Sequence, residues 1–205
     1  MANHNPGFIT ASTCSAFLTG KGSTLLAGGI EAALKIADER LHIMGIISEY
    51  EQGFQGNDAT EWGNMHEPDA VARYERLRFV TVDSKQARIV KDWLSCTPDG
   101  LIGEDGMIEV KCPYAIKNHR ATLIDPSKFI ADNYDQCQFQ MMLSGRQWND
   151  LVSYDPRFIE PLDISIHRIE ADPVWQASAT DRFTQAEAVI KETVKIIQTK
   201  LKEAS

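Results

Sequence analysis

The residues whose types and spacing best support chemistry lie mid-chain, where Thr97-Pro98-Asp99-Gly100 is followed by Ile108-Glu109-Val110-Lys111. Gly100-Leu101-Ile102, the turn Gly103-Glu104-Asp105-Gly106 and residues 107–111 read as a β-hairpin. Alternate residues of a strand share a face, so Glu109 and Lys111 point one way and Val110 the other. The hairpin brings Asp99 to the depth of Glu109, and two carboxylates and an ammonium converge. Two carboxylates alone repel until one stays protonated, and a divalent cation removes the conflict. Hard oxygen ligands of this kind suit Mg²⁺ or Mn²⁺, which need few protein ligands and keep part of their water shell. The Val110 carbonyl at the strand edge is a further candidate ligand. Taken alone, the motif reads equally well as a hairpin with a surface Glu–Lys pair.

The neighbourhood adds candidates. Glu67 ends the run Glu61-Trp62-Gly63-Asn64-Met65-His66-Glu67, and Gln136 and Gln138 lie in Tyr134-Asp135-Gln136-Cys137-Gln138-Phe139. Singly, each is ordinary: a solvated charge near a helix start and surface glutamines. Lys111, Lys117, Arg120 and Lys128, with His119 among them, face one acid, Asp125, over residues 111–128. Four cations against one acid give a local charge of +3, which reads as a solvated loop or as a strip that tracks phosphates.

Several elements must position these residues. Thr10 or Ser12 is placed to cap a short helix carrying Phe17 and Leu18. Helices are predicted over 31–44, 58–77 with Pro68 inside, 127–144 with Gly145 as its stop, and from the Asp172-Pro173 cap to about residue 202. Strands are predicted over 79–82, 89–94, 150–154 and 162–169, beside the hairpin. This order of helices and strands predicts an α/β domain with a mixed central β-sheet flanked by helices.

Composition sets outer bounds. The 205 residues carry 21 Lys and Arg against 29 Asp and Glu, a formal charge of −8. A generally basic nucleic-acid coat is excluded, whereas a local basic patch on an acidic body is not. No apolar run reaches the roughly 18 residues of a membrane helix, and residues 1–8 lack a signal-peptide layout, so a cytoplasmic protein is expected. Cys14, Cys96, Cys112 and Cys137 form no C-x-x-C pair and read as reduced thiols.

Together the motifs resemble a family: the phage recombination exonucleases of the lambda exonuclease type, the YqaJ-like viral recombinases of the PD-(D/E)xK nuclease superfamily. The resemblance runs in order through Gly7-Phe8-Ile9-Thr10-Ala11-Ser12, Trp62-Gly63 with Glu67, Thr97-Pro98-Asp99-Gly100-Leu101, Glu109-Val110-Lys111-Cys112-Pro113, Gln136-Cys137-Gln138 and Tyr154-Asp155-Pro156-Arg157. It implies a restriction-endonuclease-like core and a single nuclease domain over 1–205. The implied activity is a metal-dependent 5′-to-3′ exonuclease on double-stranded DNA. It would release mononucleotides and leave 3′ single strands for phage-type homologous recombination, in a bacterial cell carrying a phage or prophage.

By resemblance Asp99 and Glu109 hold two Mg²⁺ ions, which Mn²⁺ can replace, beside the Val110 carbonyl. Lys111 touches the attacking water, Glu67 is an accessory carboxylate reaching the metal directly or through water, and Gln136 helps to place the nucleophile. Ser12 and Thr97 match hydroxyls of a pocket for a terminal 5′-phosphate. Where the family has an arginine in that pocket, this chain has Asn5, and Arg120 is the candidate replacement. Lys117 and Lys128 are candidate contacts to the DNA backbone. The resemblance also implies a ring-shaped homotrimer around DNA and a single-strand annealing recombinase as partner. An endonuclease or junction resolvase, and a non-catalytic DNA-end-binding module, are the alternatives. An iron–sulfur nuclease of the Cas4 type is disfavoured by the scattered cysteines.

Overall fold

The computed structural model describes residues 6–48, 58–85 and 88–204. The chain forms two compact units. The first, within residues 54–89 and 96–171, contains the hairpin. The second, within residues 4–53, 90–95 and 172–205, contains the N-terminal segment and the last helix.

In chain order the elements are β1 (Ile9–Thr10), α1 (Ala27–Ile43), α2 (Asp58–Arg78), β2 (Val82–Asp83), β3 (Ile89–Lys91), β4 (Leu94–Cys96), β5 (Gly100–Ile102), β6 (Gly106–Lys111), α3 (Ile116–Ile124), α4 (Ser127–Ser144), β7 (Trp148–Tyr154), β8 (Ile164–Glu170) and α5 (Pro173–Glu203). The first unit is built on a five-stranded mixed sheet of order β2-β5-β6-β7-β8, in which only β6 and β7 run parallel. The two sides of β6 and β7 bury different partners. Ile108, Val110 and Val152 pack with Ala70 and Tyr74 of α2. Met107 and Leu151 face the other way and pack with Cys137 and Met141 of α4. The expected mixed sheet between helices is therefore the fold of this unit.

Local chemistry explains most boundaries. Gly100 opens β5 because a Cβ there would collide with the Val82 side chain and press on Ile108. Gly145 stops α4 in the left-handed region at φ 73°, its N–H closing on the Met141 carbonyl. Pro68 sits inside α2, where its missing N–H leaves the Asn64 carbonyl without its usual donor one turn on.

Several expectations are corrected. Residues 79–82 are not a strand: Phe79 turns left-handed at φ 55° just past α2, and only Val82–Asp83 pairs with β5. Glu75 of α2 takes the Val82 N–H at 2.7 Å, which fixes that turn. Residues 89–94 form two short strands, because Asp92 at φ 54° reverses the chain between β3 and β4. The segment read as a basic loop contains helix α3.

In the second unit α1 packs on α5, with Ala33, Ile36, Ala37 and Leu41 buried on one helix and Ala179, Phe183, Ala186 and Ile190 on the other. Asp172 caps α5 as expected, its Oδ1 accepting the N–H groups of Val174 and Trp175 at 2.9 and 3.0 Å. β1 pairs with β4 in parallel, and a single 3-10 turn, Cys14–Phe17, replaces the short helix expected there. Thr10 lies in β1, and neither it nor Ser12 caps that turn, whose preceding residue is Thr13. All four cysteines are reduced thiols, with Cys14, Cys96 and Cys137 buried. No helix among the described residues is long and apolar enough to cross a membrane.

Candidate active site

The β5–β6 ladder ends at the pair Gly100–Ile108. One residue further, the antiparallel register sets Asp99 opposite Glu109. With no strand left to pair with, the Val110 N–H donates to Asp99 Oδ2 at 2.7 Å. The alternation expected on β6 holds: Val110 packs toward α2, whereas Glu109 and Lys111 face α4.

Glu109 is only 3% exposed and accepts hydrogen bonds on both carboxylate oxygens. Its Oε1 accepts from Lys111 Nζ at 2.6 Å and from Gln136 Nε2 at 2.6 Å, and its Oε2 accepts from Gln140 Nε2 at 2.7 Å. Lys111 Nζ also donates to Gln136 Oε1 at 3.0 Å, closing a ring of three side chains. An ammonium only donates, so this contact fixes which end of the Gln136 amide faces Glu109.

Glu67, Asp99, Glu109, Val110 and Lys111 line one cleft of about 750 Å³. Burial, then the charges of Glu109 and Glu67, holds the Asp99 carboxyl well above the usual aspartate range. Burial and the same acidic field, led by Glu67 and then Asp99, push the Cys112 thiol up to about 12. For Lys111, burial pulls downward, but the charge and hydrogen bond of Glu109, with Asp99 behind them, outweigh it and the pKa is raised. Three carboxylates thus face one ammonium. Among the described residues no group of three or more His, Cys, Asp or Glu forms a complete metal cage. Two carboxylates and the Val110 carbonyl at a strand end fit an ion bound by few protein oxygens and its own water, as Mg²⁺ is. The unbalanced acid around Asp99 is the feature such an ion would neutralise.

The other predicted residues divide. Thr97 is half-buried just before Pro98-Asp99. Lys128 lines the cleft but is ion-paired with Asp132 at 2.6 Å. Lys117 and Arg120 are exposed on α3 and do not line the cleft. Ser12 belongs to the second unit, exposed, with its hydroxyl 3.2 Å from that of Thr10. Asn5 lies outside the described residues. His119 is no part of a basic strip. It is fully buried, one ring nitrogen meeting Ser153 Oγ at 2.8 Å and the other the Leu162 carbonyl at 2.9 Å. Gln138 is buried too, its amide donating to the Glu170 carbonyl at 2.7 Å.

The motif Tyr154-Asp155-Pro156-Arg157 has a structural use. Arg157 forks onto buried Asp155 at 2.7 Å, donates to the Pro113 and Tyr114 carbonyls at 3.1 Å, and lies over the Trp62 ring at 4.5 Å. It ties the chain leaving β6 to the start of α2. The reading from sequence passed over Gln140. Its signal was the spacing from Gln136: four residues, one helical turn, the same face.

Sheet order, flanking helices and an acid-lysine strand end define a PD-(D/E)xK-type α/β fold. Residues 3–147 match the YqaJ-like viral recombinase domain, and the chain belongs to that family. An alkaline exonuclease (LHK-Exo) from Laribacter hongkongensis superposes with a TM-score of 0.82 at 28% identity, over 98% of this chain and 96% of that one. The same enzyme in complex with dAMP gives a TM-score of 0.81 at 28% identity over the same shares of the two chains. A phage related exonuclease from Haemophilus somnus 129PT shares the fold, with a TM-score of 0.78 at 15% identity over 93% of this chain and 96% of that one. No curated protein sequence matches the chain.

Proposed function

We propose that this chain is a Mg²⁺-dependent exodeoxyribonuclease that degrades duplex DNA from 5′ ends, releasing mononucleotides and leaving 3′ single strands for recombination. The observation that carries the reading is the opposition of Asp99 and Glu109 in the cleft, with Lys111 bonded to Glu109 at 2.6 Å. Family membership and the likeness to LHK-Exo support the nuclease class. The dAMP complex of that enzyme is in keeping with nucleoside monophosphate products.

Asp99, Glu109 and the Val110 carbonyl would hold the metal, with Glu67 reaching it directly or through water. Bound Mg²⁺ would supply Lewis-acid activation of the attacking water and neutralise charge on the leaving 3′ oxygen. The protein's own part is positional. Lys111, held by its hydrogen bonds to Glu109 and Gln136, would orient the attacking water. Gln136 holds Lys111 and Glu109 at a fixed separation. Thr97 would supply a hydroxyl to a terminal 5′-phosphate, and Arg120 a cation in place of the family arginine; Lys117 and Lys128 would follow the backbone. The active form would be a ring-shaped homotrimer working beside an annealing recombinase.

Linear duplexes labelled separately at the 5′ and 3′ ends, with 5′-phosphate or 5′-hydroxyl termini, test the reading with and without Mg²⁺. The expected result is early loss of the 5′ label, a preference for phosphorylated ends, and no digestion in EDTA. Early loss of the 3′ label overturns the polarity, and full activity in EDTA overturns the metal.

A further inference from the structure

Behind the carboxylates lies a second layer of amides. Gln140 is 1% exposed and Asn149 fully buried. Asn149 stands on β7, on the same face as Leu151, and pairs in register with Met107 of β6. Its Nδ2 donates to Gln140 Oε1 at 2.9 Å, and Gln140 Nε2 donates to Glu109 Oε2 at 2.7 Å. The direction of this chain is forced. A carboxylate only accepts, so Gln140 must turn its amide nitrogen to Glu109 and its oxygen to Asn149. Asn149 must then donate.

Two features point to a use beyond packing. Asn149 Oδ1 is buried without a hydrogen-bond partner. A buried carbonyl left without a donor is costly, so an apolar side chain would suit this position better for stability alone. The other feature is the lone-pair count. A carboxylate offers about four acceptor positions. Lys111 and Gln136 occupy both on Oε1, whereas Gln140 occupies one on Oε2. The free position that a cation would take is therefore on the oxygen that Gln140 holds.

We propose that Gln140, locked by Asn149, is a positioning residue that aims Oε2 of Glu109 at the metal. This rests on the metal-dependent nuclease reading. Gln140 touches neither substrate nor reacting atoms, so its loss acts on metal affinity before it acts on chemistry.

The test is a double-mutant cycle on the full chain without DNA, using Gln140→Met, Asn149→Leu and the pair. Mg²⁺ binding is read by calorimetry, folding by circular dichroism, and the Mg²⁺ dependence of DNA digestion is measured in parallel. Loss of partners that orient a metal ligand costs about 10–100-fold in affinity. Gln140→Met is expected to weaken Mg²⁺ binding at least tenfold and to move the half-saturating Mg²⁺ for cleavage by the same factor. Asn149→Leu is expected to weaken binding several-fold, and the pair to match Gln140→Met alone. Should Gln140→Met fail to fold, Asn149→Leu carries the test, because Gln140 is then present but unlocked. Unchanged Mg²⁺ affinity in a folded variant overturns the proposal, as do independent, additive effects of the two substitutions. A wild-type protein that neither binds Mg²⁺ nor cleaves DNA overturns the nuclease reading itself, which is a distinct outcome.

Discussion

Replacing Asp99 by asparagine should stabilise the metal-free protein while abolishing cleavage. Asparagine keeps the shape, and its Oδ1 can still accept the Val110 N–H that Asp99 takes at 2.7 Å. What goes is a negative charge opposite Glu109 and near Glu67. Directly opposed cross-strand side chains sit about 5 Å apart, and at an effective dielectric of 20 two unit charges at that range repel by about 3 kcal/mol. Lys111, bonded to Glu109, cancels part of this. Trading a charge-assisted hydrogen bond for a neutral one gives back about 1 kcal/mol. The net gain should be about 1–2 kcal/mol at neutral pH, or roughly 2–8 °C for a chain of this size.

The pH dependence fixes the sign. Asp99 is raised above 3.8 in the fold. Between 3.8 and its raised value the native state binds the extra proton, so metal-free stability falls as pH rises through that window. Asp99→Asn should lose that decline and match wild type at the acid end. Thermal unfolding in EDTA from pH 4 to 8, repeated with Mg²⁺, measures both effects. Mg²⁺ should raise the wild-type midpoint and leave the variant unmoved. A metal-free variant less stable than wild type at pH 8 would refute the reasoning, because Asp99 would then be a favourable charge without any cation.

Three further outcomes follow from the geometry. Lys111→Met should lower kcat at least a hundredfold with little change in DNA affinity, since an oriented ammonium acts chiefly in the transition state; equal losses in filter binding and turnover would make Lys111 a phosphate contact. Arg157→Ala strands the buried Asp155 carboxylate and frees the Pro113 and Tyr114 carbonyls, and should cost about 2–3 kcal/mol in urea unfolding, below the 3–5 of a fully buried pair because the Arg157 side chain is 34% exposed. His119→Leu should destabilise by about 2 kcal/mol, leaving Ser153 without its partner, yet keep the salt dependence of DNA binding, whereas Lys117→Ala or Arg120→Ala should reduce that slope by about 1.

Where a local signal decided the structure, the sequence was legible. The hairpin, α4 with its Gly145 stop, and the Asp172-Pro173 cap all rest on neighbours within a few residues. Strand alternation alone put Glu109 and Lys111 on one face. The errors arose where distant residues decide. The apolar run 79–82 looks like a strand, but its backbone direction is set by Glu75 of α2 capturing the Val82 N–H. α3 has no side-chain cap and a mixed surface, so little in its own residues announces a helix. His119 read as part of the basic strip because nothing nearby in sequence reveals that Ser153 and Leu162 bury it. Gln140 is the instructive miss. Its amide matters only because α4 lies across the sheet face that carries Glu109, a relation between elements 31 residues apart.

The two carboxylates are not equivalent, and the architecture says why. β5 stops one residue short of continuing the ladder, which frees the Val110 N–H for Asp99 and leaves the Val110 carbonyl at an open strand end. Glu109, two residues inside that end, faces α4 and receives three donors from Lys111, Gln136 and Gln140. Among the described residues Asp99 accepts a single hydrogen bond and faces two like charges. The helix thus supports one acid, and the cleft leaves the other in need of a counter-charge. A cation bound here would be held by a rigid Glu109 and would in turn hold Asp99. Metal loss should therefore free the Asp99 side chain far more than that of Glu109, and hydrogen exchange at Val110, whose N–H donates to Asp99, should quicken while the amides of β6 that pair with β7 hold. Two carboxylates alike in sequence differ because only one of them has a helix behind it.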